Sequence, residues 1–285
     1  MKIKHLLPII LLSGILLAGC SSASTIDPKP VSANEEQASA PTETRSTKPE
    51  LRTLTVFAAA SLTDAFTEIG KKFEALHPGA TVTLNFAGSQ SLRTQIEEGA
   101  PVDVFASANT MQMDAVVTSG FIAKNAPQMF LTNALIIIVP EGNPAGVNRV
   151  EDLANMGLKL ILAAEEVPVG KYSRQALDLM NTRYGDGFKD KVLANVVSNE
   201  DNVKQVVAKI QLGEADAGIV YTSDAVAAPE LPTVEIPLDV NVMAQYPIAP
   251  LLESDSPDLA MSFVDYVLSS DGQAALKKWG FGPVP

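Results

Sequence analysis

From residue 54 onward the chain alternates between short apolar runs and longer segments whose apolar residues recur at helical spacing. Residues 54–60 have the pattern of a buried strand, and residues 64–76 that of an amphipathic helix. Further apolar strands are predicted at 81–86, 102–106, 135–139, 160–163 and 217–221. This alternation predicts an α/β fold with helices on both faces of each sheet. Because the 235 residues from 51 to 285 exceed the usual single domain, we expect two α/β lobes.

The first 20 residues have the pattern of a secretory leader. Two lysines precede an apolar stretch at 6–17, and Leu-Ala-Gly then leads into the one cysteine of the chain, Cys20. The stretch is too short and too interrupted to span a bilayer, and it suits a signal peptide instead. The run resembles the lipobox of bacterial lipoproteins. That resemblance implies removal of residues 1–19, lipid attachment at Cys20, and an extracytoplasmic position on a membrane face.

A tether is predicted between this cysteine and the folded part. Residues 21–50 are rich in Ser, Thr, Ala, Pro and Glu and have almost no large apolar side chain. A segment of this composition buries too little surface to offset the entropy of ordering. We therefore expect residues 20–50 to be a lipidated cysteine followed by a flexible linker.

Composition argues against several classes of function. Without its leader the chain keeps one histidine, His77, and lipidation of Cys20 would leave no free thiol. Zinc sites of Cys and His, cysteine nucleophiles and disulfides are therefore excluded. A serine triad would need His77, which lies in a turn-like stretch. Loss of the two leader lysines takes the net charge from −12 to −14. A protein with this negative charge is unsuited to binding nucleic acid. We expect a binding protein with no catalytic site and no cofactor.

Four predicted helix starts share small or hydroxyl-bearing residues directly after a strand or turn. Ser61 and Asp64 form a capping-box pattern, and Gly88 to Ser91 join the second strand to its helix. Residues 168–171 precede a helix predicted around Ser173, and residues 200–203 open another. Loops at the carboxyl ends of strands line the ligand crevice in open α/β sheets, and helix starts offer unpaired N–H groups there. Together they predict a neutral cage of donors for an oxyanion, although each one alone is more typical of an ordinary cap.

The loop sequences resemble those of the periplasmic molybdate-binding proteins of ABC importers. The similarity is carried by residues 58–62, 86–89, 99–108, 167–170 and 213–225. It implies a two-lobed periplasmic-binding-protein fold, in which each lobe is a mixed, mostly parallel sheet flanked by helices and the chain crosses twice between lobes. Lobe 1 would comprise residues 51–132 plus 247–285, and lobe 2 residues 133–246. The resemblance also implies delivery of the ligand to the membrane subunits of an ABC permease, by a monomer.

The same resemblance implies a ligand set. Ser61 and Ser89 would each give a hydroxyl and a backbone N–H, Val169 and Val203 a backbone N–H each, and Tyr221 its phenolic hydroxyl. Val169 stands where the family often has alanine. Molybdenum would be held through its oxygens, with no direct metal ligand, and tungstate would fit nearly as well as molybdate.

Two alternatives stay open from the residues alone. A basic residue in the cleft, such as Lys171, would favour another oxyanion or a small organic anion. An extracytoplasmic enzyme could use Ser61 or Ser89 as nucleophile, but the sequence places no base beside either.

Overall fold

The computed structural model describes residues 51–284, in which the chain forms two five-stranded sheets. The predicted signal peptide at 1–19, the lipidated Cys20 and the tether at 20–50 lie outside the described residues. The strands, in chain order, are β1 Arg52–Ala59, β2 Ala80–Ala87, β3 Val104–Ala106, β4 Gln128–Asn133, β5 Leu135–Ile138, β6 Leu160–Ala163, β7 Val196–Glu200, β8 Ala217–Tyr221, β9 Thr233–Glu235 and β10 Ala244–Pro250.

Helices follow most of the strands, as the alternation predicts. Two short 3-10 helices, Ala60–Leu62 and Val150–Ala154, accompany them. The α-helices are α1 Thr63–Leu76, α2 Ser89–Glu97, α3 Thr110–Thr118, α4 Pro168–Tyr184, α5 Phe188–Ala194, α6 Val203–Gln211, α7 Thr222–Ala227, α8 Pro257–Leu268 and α9 Ser270–Lys278. Between residues 51 and 284, no helix has both the length and the apolar content needed to cross a membrane.

The two sheets have the same design. The first has the strand order β2-β1-β3-β10-β4 and the second β7-β6-β8-β5-β9. In the first, β10 runs antiparallel to both of its neighbours, and in the second β5 does so. The remaining pairs are parallel, so four of the five strands in each sheet share one direction. The predicted fold class, a two-lobed α/β protein with mixed, mostly parallel sheets, is confirmed.

The chain passes between the sheets twice. It leaves the first sheet after β4 and enters the second at β5, with one residue, Ala134, in between. It returns between the end of β9 at Glu235 and the start of β10 at Ala244. The strands therefore place Asn133 and residues 244–246 in the first sheet, whereas the sequence analysis assigned them to lobe 2. Both differences arise because β4 and β10 pair with each other up to Asn133 and Ala244.

Burial explains why the central strands are almost wholly apolar. Every residue of β6 and β8 is buried, as expected for parallel strands covered on both faces. The helix α1 turns one face inward, and its Phe66 and Phe73 make edge or tilted contacts with Phe130 and Phe263. Removing one such fully buried ring would cost about 3–5 kcal/mol of folding stability. The packed lobes thus hold the strand ends, and the helices that start there, in fixed positions.

Candidate functional site

A small cavity lies where helices begin after β1, β2, β6, β7 and β8. The space between its atoms, with the open solvent at its mouth included, is about 200 Å³. All five residues named in the sequence analysis line it, namely Ser61, Ser89, Val169, Val203 and Tyr221. The rest of its lining is small, apolar or amide-bearing and carries no charge, namely Ala59, Ala60, Ala87, Gly88, Ala108, Val167, Pro168 and Asn202. We call the five named residues the donor cage.

Ser61 lies in the 3-10 turn between β1 and α1, with 5% of its surface exposed. The predicted capping box with Asp64 is wrong, because α1 begins at Thr63 and its N-cap, Leu62, makes no side-chain bond. The serine Oγ instead lies 2.9 Å from the phenolic oxygen of Tyr246. The hydroxyl of Ser61 is therefore tied to the return strand β10 rather than to its own helix.

Ser89 is the first residue of α2, and its hydroxyl has a defined orientation. Its Oγ accepts a hydrogen bond of 3.0 Å from the backbone N–H of Ala108. A serine hydroxyl has a single proton to donate. With the N–H of Ala108 occupying an acceptor site, the proton of Ser89 remains available to a ligand in the cavity. The neighbouring Gly88 is required, because a Cβ there would approach the carbonyl oxygen of Asp201 in the other lobe to 2.5 Å.

Val169 and Val203 face the cavity from helix starts in the second lobe. The helix α4 begins at Pro168, not around Ser173 as predicted, so Val169 is its second residue. Proline suits this first position because its missing N–H would have no intrahelical acceptor. Val203 is the first residue of α6, capped by the side chain of Asn202. First-turn N–H groups lack partners within their own helix and lie at the positive end of its dipole.

Tyr221 ends β8 and is 1% exposed. Among the described residues its hydroxyl has no hydrogen-bond partner, and its ring packs edge-on against Tyr246 with centroids 5.9 Å apart. Burial raises the pKa of Tyr221 well above its ordinary value, so the phenol keeps its proton. A buried hydroxyl without a partner is costly, and an anion in the cavity would supply the missing acceptor.

Polar contacts join the two lobes beside the cavity. Lys204 Nζ lies 2.8 Å from Asp64 Oδ2 on α1 and 3.5 Å from Asp224 Oδ1 on α7. Gln90 Nε2 donates to the carbonyl oxygen of Asp201 across the cleft at 2.9 Å. Burial raises the pKa of Asp224 to about 6, with Lys204 opposing the shift. These contacts hold the lobes against each other in a closed arrangement.

The uncharged lining of the cavity suits the binding of a solute. His77 follows the end of α1 and stacks on Phe73 with centroids 4.0 Å apart, and it does not line the cavity. Lys171 is also absent from the lining. Within residues 51–284, no group of three or more His, Cys, Asp or Glu residues is placed to hold a metal ion. A ligand in the cavity would meet uncharged donors, which favours a fully deprotonated oxyanion.

Several residues around the cage escaped the sequence analysis. Tyr246, Asn133 and the N–H of Ala108 contact cage hydroxyls or one another, and Lys204 bridges the lobes. Their partners lie up to 185 positions away in the chain, so no local pattern marks them. Only the tyrosine itself, a polar-tipped ring in an otherwise apolar stretch, offered a weak signal.

Two lobes that enclose an uncharged, donor-lined cavity define a solute-binding protein. The family described as "bacterial extracellular solute-binding protein" matches residues 54–282, and the chain belongs to this family. Its members bind solutes and are not enzymes.

Named relatives agree with this assignment. The molybdate-binding protein ModA of Mycobacterium tuberculosis is 40% identical over 231 residues, which cover 81% of this chain and 84% of ModA. YvgL of Bacillus subtilis, provisionally named an ABC transporter substrate-binding lipoprotein, is 30% identical over 94% of this chain and 93% of its own length. Among solved structures, the substrate-binding domain of a provisionally named molybdenum ABC transporter from Clostridium difficile superposes with a TM-score of 0.62. It is 30% identical and covers 82% of this chain and 99% of its own.

Proposed function

We propose that this chain captures molybdate as an oxyanion between its two lobes and delivers it to an ABC permease. The observation that carries the proposal is the convergence of Ser61, Ser89, Val169, Val203 and Tyr221 on one uncharged cavity. Relatives named for molybdate binding support the same ligand.

The proposed contacts follow from the donors that each residue can offer. Ser61 and Ser89 would each give a hydroxyl and an N–H, Val169 and Val203 an N–H each, and Tyr221 its hydroxyl. Hydrogen bonds to a charged partner contribute roughly 1.5–3 kcal/mol each, so the proposed donors together would contribute on the order of 10–20 kcal/mol, compared with about 8 kcal/mol for micromolar affinity before the cost of association is met. The anion accepts at all four oxygens and donates none, which matches a set of donors. Tungstate has the same shape and charge and should bind as well.

Calorimetric titration tests the ligand. The protein from residue 21 to 285 would be titrated with molybdate, tungstate, sulfate and phosphate. Tight one-to-one binding of the first two with weak or no response to the others is the expected result. Equal affinity for sulfate would show that the cavity does not select anions by size. Absence of any binding would show that the five residues have structural roles only.

Lipid anchoring at Cys20, after removal of residues 1–19, is the proposed link to the membrane. Support comes from the leader pattern and from YvgL, a relative named as a lipoprotein. Cys20→Ser should move the protein from the membrane fraction to the soluble fraction without altering its affinity for molybdate. An unchanged membrane fraction would contradict the anchor. The proposed monomer would be checked by light scattering with and without molybdate.

A further inference from the structure

Tyr246 connects the donor cage to the point where the chain crosses between lobes. It lies on β10, is 0% exposed, and its phenolic oxygen is 2.9 Å from Ser61 Oγ. On its other side, Asn133 Nδ2, at the end of β4, donates to the same phenolic oxygen over 3.4 Å. Tyr246 itself is not part of the cavity lining. The three residues form a chain of hydrogen bonds that ends at a cage hydroxyl.

Either oxygen can donate in the bond between Tyr246 and Ser61, and the other partners of Tyr246 bear on which of them does. Asn133 accepts at its Oδ1 from the hydroxyl of Thr222 at 2.8 Å, which leaves its amide N–H groups to face Ser223 and Tyr246. The phenolic oxygen thus accepts a hydrogen bond from Asn133. Burial raises the pKa of Tyr246 above its ordinary value, so the phenol keeps its proton and can donate it. Because phenols are in general stronger hydrogen-bond donors than aliphatic hydroxyls, we take the phenol of Tyr246 as the donor to Ser61 Oγ.

We propose that Tyr246 is a positioning residue that makes Ser61 an obligatory donor to the bound anion. By occupying an acceptor site of Ser61, the phenol turns the serine proton away from β10 and toward the cavity. The inference rests on the proposed binding of molybdate, but it concerns a residue that never touches the ligand. The two cage serines are then held in the same way. The oxygen of Ser61 accepts a hydrogen bond from Tyr246, and the oxygen of Ser89 accepts one from the N–H of Ala108.

The opposite direction would have the opposite effect on binding. If Ser61 donated to Tyr246, its proton would be unavailable to the anion, and removing the phenolic oxygen would free it and tighten binding. The sign of the change in affinity on removing the hydroxyl of Tyr246 therefore distinguishes the two arrangements.

A double-mutant cycle tests the proposal on the protein from residue 21 to 285. Tyr246→Phe should weaken molybdate binding about two- to tenfold, the range expected for one hydrogen bond. In a Ser61→Ala background the same change should alter the affinity by less than about twofold, since the hydroxyl it positions is gone. Tyr266→Phe on α8, a half-buried tyrosine outside the cavity, is the matched control and should leave the affinity unchanged.

The outcomes separate this inference from the proposed function. Failure of the unsubstituted protein to bind molybdate would overturn both. Normal binding by the unsubstituted protein, with unchanged or tighter binding by Tyr246→Phe, would overturn the positioning role alone, as would an equal loss in the Ser61→Ala background. If Tyr246→Phe does not fold, NMR of the unsubstituted protein decides. A protected Tyr246 hydroxyl proton with a cross-peak to the Ser61 β protons supports the proposal, and its absence contradicts it.

Discussion

The two lobes supply donors to the same cavity by different means. The first lobe presents serine hydroxyls, Ser61 and Ser89, each held by a neighbour that contacts its oxygen. The second presents the first-turn N–H groups of α4 and α6, whose direction is set by the helix itself. Side-chain donors need partners to fix their orientation, whereas backbone donors need only the helix start. The hydroxyl donors of the first lobe therefore depend on residue identity, and the N–H donors of the second lobe on local backbone geometry.

Removing both serine hydroxyls should produce the largest effect, because it deletes the two hydroxyl donors of the first lobe together. Ser61→Ala with Ser89→Ala should weaken molybdate binding about 10²- to 10⁴-fold, at roughly 1.5–3 kcal/mol for each bond. Thermal stability should fall much less, since each serine contributes one other hydrogen bond. Calorimetry and melting curves would measure the two effects, with Ser262→Ala on α8 as control. Comparable losses in stability and affinity would show that the serines are structural.

The contribution of the backbone donors in the second lobe can be tested by removing a single N–H. Val203→Pro deletes the proposed donor at the first position of α6, where proline is well tolerated and the preceding Asn202 is already extended, at φ −160° and ψ 167°. We expect a loss of about tenfold to a hundredfold in affinity with the helix retained by circular dichroism. Val203→Ala is the matched control, because it trims the side chain and keeps the N–H. If both variants bind alike, this N–H is not a ligand.

Tyr221 is the member of the donor cage that would donate through its side chain from the second lobe, so Tyr221→Phe tests that contribution separately from the N–H groups. Tyr221→Phe should weaken molybdate binding about tenfold. In the absence of ligand its melting temperature should stay the same or rise, since the hydroxyl has no partner among the described residues. Tyr184→Phe, near the end of α4, serves as control. A marked drop in unliganded stability would show that the hydroxyl has a structural partner.

The smallest effect on affinity is expected for Asp224→Asn, which removes the carboxylate 3.5 Å from Lys204 Nζ. Burial raises the pKa of Asp224 to about 6 from an ordinary value of 3.8. The stability that Asp224 contributes is therefore full below about pH 4 and is lost as the pH rises through 6. The melting temperature of the unsubstituted protein, minus that of Asp224→Asn at the same pH, should fall between pH 4 and pH 7. At pH 7.5 the two proteins should bind molybdate with nearly equal affinity. A constant difference between pH 4 and pH 7 would contradict the shifted pKa.

The sequence predicted the helix starts of the cage better than their surroundings. Strand, turn and helix follow one another within a few residues, so local pattern placed the start of α6 at Val203. The sequence analysis took Gly88 to Ser91 as the join to α2, whereas that helix begins at Ser89, and it named Ser89 and Val203 as ligands only through the family resemblance. The sequence analysis predicted the start of α4 too late, because Pro168 is typical of a loop. Proline is nevertheless favoured at a first helical position. The strand β10 was missed because Pro247 argues against an inner strand. The structure accommodates that proline at a register shift between Tyr246 and Pro247.

The crossing between the sheets has a consequence for how strongly the protein binds. Ala134 alone links β4 to β5, and the side chain of Asn241, on the return path, bonds both the N–H and the carbonyl of Leu135. The two connections are thus fastened side by side, and a change in the angle between the lobes would move them together. In a protein that closes on its ligand, the apparent dissociation constant equals the intrinsic one divided by the fraction of molecules competent to bind. A substitution at Ala134 or Asn241 can therefore reset the anion concentration at which the protein fills, with every donor in the cage unchanged.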